Sequence, residues 1–436
     1  MCRGKGGSKI ETLELYPGVH LHYTREERFK TEYLSIDFLV GKDLYKPGAA
    51  QVLSSVLGMG CAAYPTVRET ERALLDLYGA SLFTRGYFVG ETYVQPFSIA
   101  YQSARYLPKG EDVEKEALDL LFSFLLAPCA TRGAFKKEYV DYQKKNALDR
   151  LKAAKNNKRR YAVRKCLQTL CPGELSGYPE KAYEKDIKAV GARALYAYYR
   201  EILQKAPVEI FYFGRRDKES VKVLLTERMA PLFSEKNTPV KDTPSPLKDT
   251  PERKVEKIRA EQSVLCIGFK TPILPGDRRY IAYGLMRDML CDSPVSLLFT
   301  NVRERMGLCY DCFSTALSTK GVFVVTSGIE TANAKIAEEA ILRELENMKR
   351  GHFDDALLEN CKRSICNDIE EMKDNPAALE GRALRMLLAG TTGELDDLPD
   401  KVRAVSREDV EEAAKTLAPD SFFLLMADSR GGVYGK

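Results

Sequence analysis

The chain has 436 residues, of which 44% are apolar and 30% charged, and its formal net charge is +5. This length exceeds the roughly 250–300 residues at which a single hydrophobic core stops growing, so the sequence predicts a globular protein of at least two domains. No apolar run reaches the roughly 20 residues that cross a bilayer, and the first residues lack the apolar core of a secretory signal. Acidic and basic residues are interspersed, so net charge is a weak argument for nucleic-acid binding.

In chain order, the apolar stretch YLSIDFLVG at 33–41 predicts a strand, and AAQVLSSVLGMG at 49–60 predicts the helix that follows it. Apolar residues of this helix recur at the i, i+3, i+4, i+7 spacing of a buried stripe. Its second face is small, polar and uncharged, and it carries Gln51, Ser54 and Ser55. The stretch 77–101 then reads as consecutive strands, and 134–155 as a long amphipathic helix.

A basic stretch follows at 144–165, in which ten residues are Lys or Arg. Nucleic-acid binding is one interpretation of this charge. However, the stretch has one aromatic residue and no recognisable nucleic-acid module. We therefore interpret it as a solvated helix, or as a basic chamber wall that attracts acidic peptide.

A Pro-rich segment at 234–254 contains four prolines and predicts an extended, solvated linker. The stretches on its two sides resemble each other at a displacement of about 215 residues, which indicates an internal duplication. Each half runs from a strand to a helix, then through paired strands to a long helix, so the sequence predicts α+β halves with an antiparallel sheet and packed helices. The predicted boundaries are 1–233, a linker at 234–257, and 258–436.

The 11 cysteines are an odd number and lie in apolar contexts, which favours buried thiols in a reducing cytoplasm. Cys309 and Cys312 have C-x-x-C spacing within a strand-like run, where residues three apart should point to opposite faces. They are predicted to be separate thiols. The sequence has three histidines, and His20 and His22 share a strand face with no evident carboxylate or thiol beside them, so they are a weak candidate for a metal site.

The duplicated halves and polar linker resemble the pitrilysin superfamily of inverted zinc peptidases, which includes insulin-degrading enzyme and the mitochondrial processing peptidase. This resemblance implies two halves that face each other across a cleft. Zinc enzymes of the superfamily carry H-x-x-E-H on the first long helix. Here the five motif positions fall on residues 51–55, so Gln51 and Ser55 replace the histidines and Ser54 replaces the glutamate base. The resemblance also places a downstream glutamate ligand near Lys145, and Glu138 is interpreted as a surface charge.

The stretch at 293–314 resembles the superfamily's second signature, a helix that ends in an Arg, followed by a turn and a strand Tyr. Arg303 and Tyr310 hold these positions. The resemblance implies that Arg303 binds the substrate backbone and that Tyr310 donates a hydrogen bond to the oxyanion. The alternative is an ordinary surface arginine and a buried strand aromatic.

A half-site of this kind resembles the bacterial metal-less subunit that pairs with a zinc-bearing sister. The resemblance implies a cytoplasmic heterodimer that cleaves peptides, with no cofactor in this chain, zinc in the partner, and no membrane or nucleic-acid partner. Proteolysis is expected only in the presence of that partner. The alternative is a catalytically inert scaffold or a chaperone-like binding subunit, with a modification pathway as one setting for it.

Overall fold

The computed structural model describes residues 10–239, 241–392 and 395–428. The described chain divides into a first unit, formed by 10–151 and 180–239, and a second unit, formed by 152–179 and the described residues from 241 onward. Residues 152–179 precede the Pro-rich segment in the chain, yet they group with the second unit. Each unit has a sheet with helices packed on it, which confirms the predicted α+β class.

The elements of both units follow in chain order. The strands of the described residues are β1 (Glu11–Tyr16), β2 (Val19–Arg25), β3 (Thr31–Val40), β4 (Ser81–Phe83), β5 (Tyr87–Val89), β6 (Thr92–Gln102), β7 (Ala130–Thr131), β8 (Ala134–Phe135), β9 (Val208–Gly214), β10 (Glu252–Ile258), β11 (Ser263–Lys270), β12 (Cys309–Leu317), β13 (Val322–Ile329) and β14 (Ala418–Ala427). The α-helices of the same residues are α1 (Pro47–Leu57), α2 (Val67–Asp76), α3 (Glu114–Leu126), α4 (Lys137–Ala153), α5 (Lys158–Leu170), α6 (Glu180–Ala189), α7 (Ala192–Lys205), α8 (Lys218–Met229), α9 (Tyr280–Arg287), α10 (Ala334–Lys349), α11 (Asp355–Lys373), α12 (Pro376–Leu388), α13 (Leu398–Ala404) and α14 (Arg407–Lys415).

The two sheets share one topology. The strand order is β1-β2-β9-β3-β6-β4 in the first sheet, with β5 also on β6, and β10-β14-β11-β13-β12 in the second. From β2 onward the orders correspond, because β2 with β9 and β10 with β14 are parallel pairs and the later neighbours are antiparallel. The internal duplication is therefore present in the topology. Each sheet is mixed, since it has one parallel pair that the sequence reasoning did not predict.

Helix α5 covers one face of the second sheet. Its apolar residues pack with those of β11, β13 and β14, including Cys166 and Leu170 against Val264 and Cys266. Gly268 permits this close approach, because a Cβ there would lie 2.9 Å from Leu170 Cδ2. The opposite face packs against α9, α10 and α14. A helix from before the linker thus forms part of the core of the second unit.

Among the described residues between α8 and β10 there is no helix or strand apart from one short 3₁₀ turn at Ala230–Leu232, which agrees with the Pro-rich composition. The predicted linker at 234–257 is too long, because β10 begins at Glu252. The Pro-rich segment is not fully solvated either. Ser245 is buried and its N–H donates to the Lys320 carbonyl at 3.0 Å, and the Lys248 ammonium lies 3.5 Å from the buried Asp420 carboxylate. No helix in the described part of the chain is both long and apolar enough to cross a bilayer.

Candidate functional site

The five positions of the zinc motif, residues 51–55, lie in the middle of α1, as the sequence predicted. Pro47 begins this helix, and the apolar residues Val52, Leu53 and Val56 are buried. Ser54, at the position of the superfamily base, is also buried, and its Oγ accepts a hydrogen bond from the Gly86 N–H at 2.7 Å. The hydroxyl therefore has a structural partner in the loop between β4 and β5.

The other two motif positions do not form a zinc site. Gln51 is half-buried, and the Ser55 hydroxyl donates to the Gln51 carbonyl at 3.3 Å. A cation from α4 reaches the same place, because Arg150 Nη2 donates to Ser55 Oγ at 3.3 Å. An amide, two hydroxyls and a neighbouring guanidinium do not fit Zn²⁺, which prefers thiolate, imidazole and carboxylate ligands. Across the described residues, no group of three or more His, Cys, Asp or Glu is arranged to hold a metal ion.

Helix α4 does not supply the downstream carboxylate. Lys145 and Glu138 are both exposed, as expected for surface charges. The side chains that α4 directs to its neighbours are different ones: Gln143 is buried, and Lys144 donates to the Val190 carbonyl at 2.7 Å. The α4 side chain that contacts the motif positions is Arg150, a cation, through its hydrogen bond to Ser55.

The two strand histidines have a carboxylate partner that sequence reasoning missed. Glu209 on β9 is buried, with Oε1 3.2 Å from His20 Nδ1 and Oε2 2.6 Å from His22 Nε2. The hydrogen bond to Glu209 raises the pKa of His20. Burial raises the pKa of Glu209, but hydrogen bonds from both histidines outweigh burial, and the net shift is downward. The expectation of no nearby carboxylate was therefore wrong. The sequence did not reveal Glu209, because it lies 187 residues from His22 in the chain.

Arg303 lies on a π-helical segment, Leu298–Arg305, in the second unit. Its guanidinium lies 4.3 Å from the centre of the Phe299 ring, and the side chain is half-buried. The segment ends in a turn at Gly307, whose φ of +63° favours glycine. The Gly307 N–H donates to the Arg303 carbonyl at 3.2 Å. Ring stacking fixes the plane of the guanidinium and leaves its N–H groups available to a ligand.

Tyr310 follows this turn and occupies a β-bulge. Cys309 pairs with Ile329 and Asp311 pairs with Gly328, so Tyr310 is the extra residue between them. A bulge turns a side chain away from the regular alternation of the strand. Tyr310 is 49% exposed, and its hydroxyl donates to Glu330 Oε1 at 3.1 Å. This hydrogen bond raises the pKa of the Tyr310 hydroxyl, which therefore stays a neutral donor near pH 7.

Asp311 holds the bulge in place from two sides. Its Oδ1 accepts the Gly328 N–H at 2.9 Å, and its Oδ2 forms an ion pair with Arg159 of α5. The structure thus brings Arg303 and Tyr310 to one end of β12 and leaves Tyr310 accessible. Glu330 and Arg159 belong to the same site and were missed by sequence reasoning, because neither shows a motif spacing.

The bulge also corrects the interpretation of the C-x-x-C spacing. Cys309 pairs with Ile329 and Cys312 with Ser327, two residues apart on β13, so both cysteines point to the same face. They are nevertheless free thiols. Cys312 Sγ lies 3.9 Å from Cys291 Sγ, and burial raises the pKa of Cys309 to about 11. Buried thiols of this kind are poor nucleophiles.

Together, these features describe a protein whose motif helix does not fit zinc and whose second unit has a half-buried Arg303 and an exposed Tyr310 at the start of β12. A family profile described as "Peptidase M16 inactive domain" matches residues 189–365, which include Arg303 and Tyr310. The probable inactive metalloprotease YmfF of Bacillus subtilis (strain 168) is 25% identical over 417 residues, which cover 95% of this chain and 97% of that protein.

Two further proteins are similar to this chain. The uncharacterized zinc protease YmxG of B. subtilis (strain 168) is 25% identical over 185 residues, or 42% of this chain and 45% of that protein. The crystal structure of a conserved protein from Enterococcus faecalis V583 superposes with a TM-score of 0.88 at 26% identity, covering 97% of this chain and 99% of that one. The chain is therefore similar to the M16 superfamily of peptidases, the pitrilysin-like group that its motifs indicated, and its residues 189–365 match the domain described as inactive.

Proposed function

We propose that this chain is the non-metal-binding subunit of a two-chain zinc peptidase. In this proposal it supplies Arg303 and Tyr310 to a peptide-cleavage site whose zinc is bound by a partner of the same superfamily. The observation that carries the proposal is the contrast between the two units. The residues at the zinc register do not fit the metal, whereas Tyr310 is displayed on a bulge with an exposed hydroxyl.

The chemistry of the two side chains suits peptide hydrolysis. The partner's zinc would supply the activated water. Tyr310 stays protonated near pH 7 and its hydroxyl donates a hydrogen bond to Glu330. The carbonyl oxygen of a bound peptide would replace Glu330 as the acceptor of this hydrogen bond as negative charge develops on it. Arg303, fixed by Phe299, offers several N–H donors to the carbonyl groups of the peptide backbone.

The comparisons support the idea of a pair without testing it. B. subtilis contains one relative described as a probable inactive metalloprotease and another described as a zinc protease. This is the combination that a shared site needs. We also propose that the pair works in the cytoplasm, which the ten free cysteines among the described residues support.

The experiment is reconstitution. The chain is purified alone, together with the H-x-x-E-H homologue encoded in the same genome, and with a variant of that homologue in which the motif Glu is Gln. We expect cleavage of a fluorogenic peptide only by the mixture with the intact homologue, and zinc only in the homologue. Stoichiometric zinc in the isolated chain, or an unchanged rate on mixing, would contradict the proposal.

A second candidate is a catalytically inert scaffold or a chaperone-like binding subunit, with a modification pathway as one setting for it. The description of the matched domain as inactive favours this candidate. It predicts peptide binding without cleavage in every pairing, so the same reconstitution separates the two candidates.

A further inference from the structure

One segment of the second unit has an unusual charge composition. We call residues 152–173 the cationic segment, because this stretch contains seven Lys and Arg and no Asp or Glu. Its cations are Lys152, Lys155, Lys158, Arg159, Arg160, Arg164 and Lys165. A stretch of this composition inside a chain with nearly balanced charge creates a local positive potential.

The cationic segment lies beside Tyr310. Arg159, in the first turn of α5, pairs with Asp311, the residue that follows Tyr310. Because β12 and β13 are antiparallel, the start of β12 lies beside the end of β13, and Glu330 follows directly after β13. Asp311 and Glu330 are therefore at the same end of the second sheet. The ion pair therefore places the first turn of α5 next to the Arg303–Tyr310 site within one unit.

Three carboxylates at this end of the sheet, those of Asp311, Glu330 and Glu256, are already engaged. Asp311 is bound by Arg159 and by a backbone N–H, and Glu330 accepts the Tyr310 hydroxyl. Glu256 accepts the Tyr161 hydroxyl at 2.6 Å. Glu256 also lies 3.7 Å from the Lys165 ammonium, so Arg159 and Lys165 are the two cations of the segment that these carboxylates neutralise.

Lys155 and Arg160, in contrast, are exposed on both sides of the α5 N-cap. Within the described ranges, no carboxylate forms an ion pair with either side chain. Two unpaired cations next to a site with an oxyanion donor suit a ligand with several carboxylates. Phosphodiester chains carry negative charge too, but proteins hold single strands largely by stacking bases on exposed aromatic rings. The single aromatic residue of the segment, Tyr161, is buried.

We infer that the second unit binds peptides rich in Asp and Glu on the cationic segment, next to Arg303 and Tyr310. The inference rests on the proposed function in one respect, because it takes these peptides to be the substrates of the Arg303–Tyr310 site. The binding itself needs no partner and can be measured on the isolated chain.

The test is fluorescence anisotropy with the full chain and two labelled peptides that differ only by Glu or Gln at alternate positions. We expect the Glu peptide to bind at least about tenfold more tightly at low salt, and this difference to shrink at about 0.15 M ionic strength. The double variant Lys155→Gln/Arg160→Gln is expected to lose about fivefold in affinity for the Glu peptide. The matched control Arg343→Gln/Arg350→Gln removes the same charge from exposed positions at α10 and should bind as the wild type does.

Equal affinity for the two peptides, equal losses in the two double variants, or tighter binding of a single-stranded oligonucleotide than of the Glu peptide would overturn the inference. The outcomes separate it from the proposed function. Preferential binding of the Glu peptide without cleavage in the reconstituted mixture would reject the function and keep the inference. Cleavage with no preference between the peptides would do the reverse.

Discussion

The substitution Ser54→Ala tests whether the superfamily's base position has become a structural position in this chain. Ser54 is 5% exposed, and its hydroxyl accepts the Gly86 N–H at 2.7 Å. Gly86 is closely packed, since a Cβ there would lie 2.0 Å from the Tyr93 hydroxyl oxygen. The variant removes the acceptor and leaves the N–H of the half-buried Gly86 without this partner.

An unsatisfied buried donor typically costs about 1–3 kcal/mol. Gly86 is half-buried, so we expect the lower part of this range, about 1–2 kcal/mol. For a unit of this size, each kcal/mol corresponds to a shift of about 2–4 °C in melting temperature, which gives a predicted decrease of about 2–8 °C.

Differential scanning calorimetry of wild type, Ser54→Ala and the control Ser55→Ala measures the effect. Ser55 bonds to a carbonyl of its own helix and to the exposed Arg150, so its loss should change stability by less than about 0.5 kcal/mol. Equal melting shifts in the two variants would refute the structural assignment of Ser54.

Two further predictions concern buried charges. His20→Gln should lower stability more at about pH 6 than at about pH 9: the hydrogen bond to Glu209 raises the pKa of His20, so the stabilisation is fully present below the unfolded pKa of about 6.5 and is lost as pH rises through the folded pKa. Thermal melts at both pH values check this, and a difference that does not vary with pH would contradict it. Lys270→Met should lower the free energy of unfolding by about 3 kcal/mol in urea titrations, because Lys270 Nζ lies 3.1 Å from the buried Asp420 carboxylate. A change below about 1 kcal/mol would show that the nearby Lys248 satisfies Asp420 alone.

Sequence patterns were sufficient to predict those features of the fold that depend on residues close together in the chain or on the order of the elements. The stripe of Val52, Leu53 and Val56 indicated the buried face of α1, and the repeated order of elements indicated two sheets of one topology. The motif register was also accessible, because H-x-x-E-H spacing is a property of a single helix. The two helix patterns lie within a few turns of one element, and the repeat is visible in the order of elements along the chain.

Features that depend on distant pairing were not accessible. Alternation along a strand assumes regular pairing, so it missed the bulge at Tyr310 and placed Cys309 and Cys312 on opposite faces. Glu209 meets His20 only through the parallel pairing of β2 with β9. The charge of 144–165 suggested a solvated helix or a basic chamber wall, and it did not show that the apolar residues of α5 pack on the second sheet.

The central claim, that this chain completes a site whose metal belongs to another chain, is tested most directly by Tyr310→Phe in the reconstituted mixture. The loss of one oxyanion donor typically lowers kcat by about 10²–10³, or about 3–4 kcal/mol of barrier. We predict this decrease in kcat with little change in KM and with unchanged association of the two chains. A Tyr310→Phe mixture that turns over at the wild-type rate would contradict the claim.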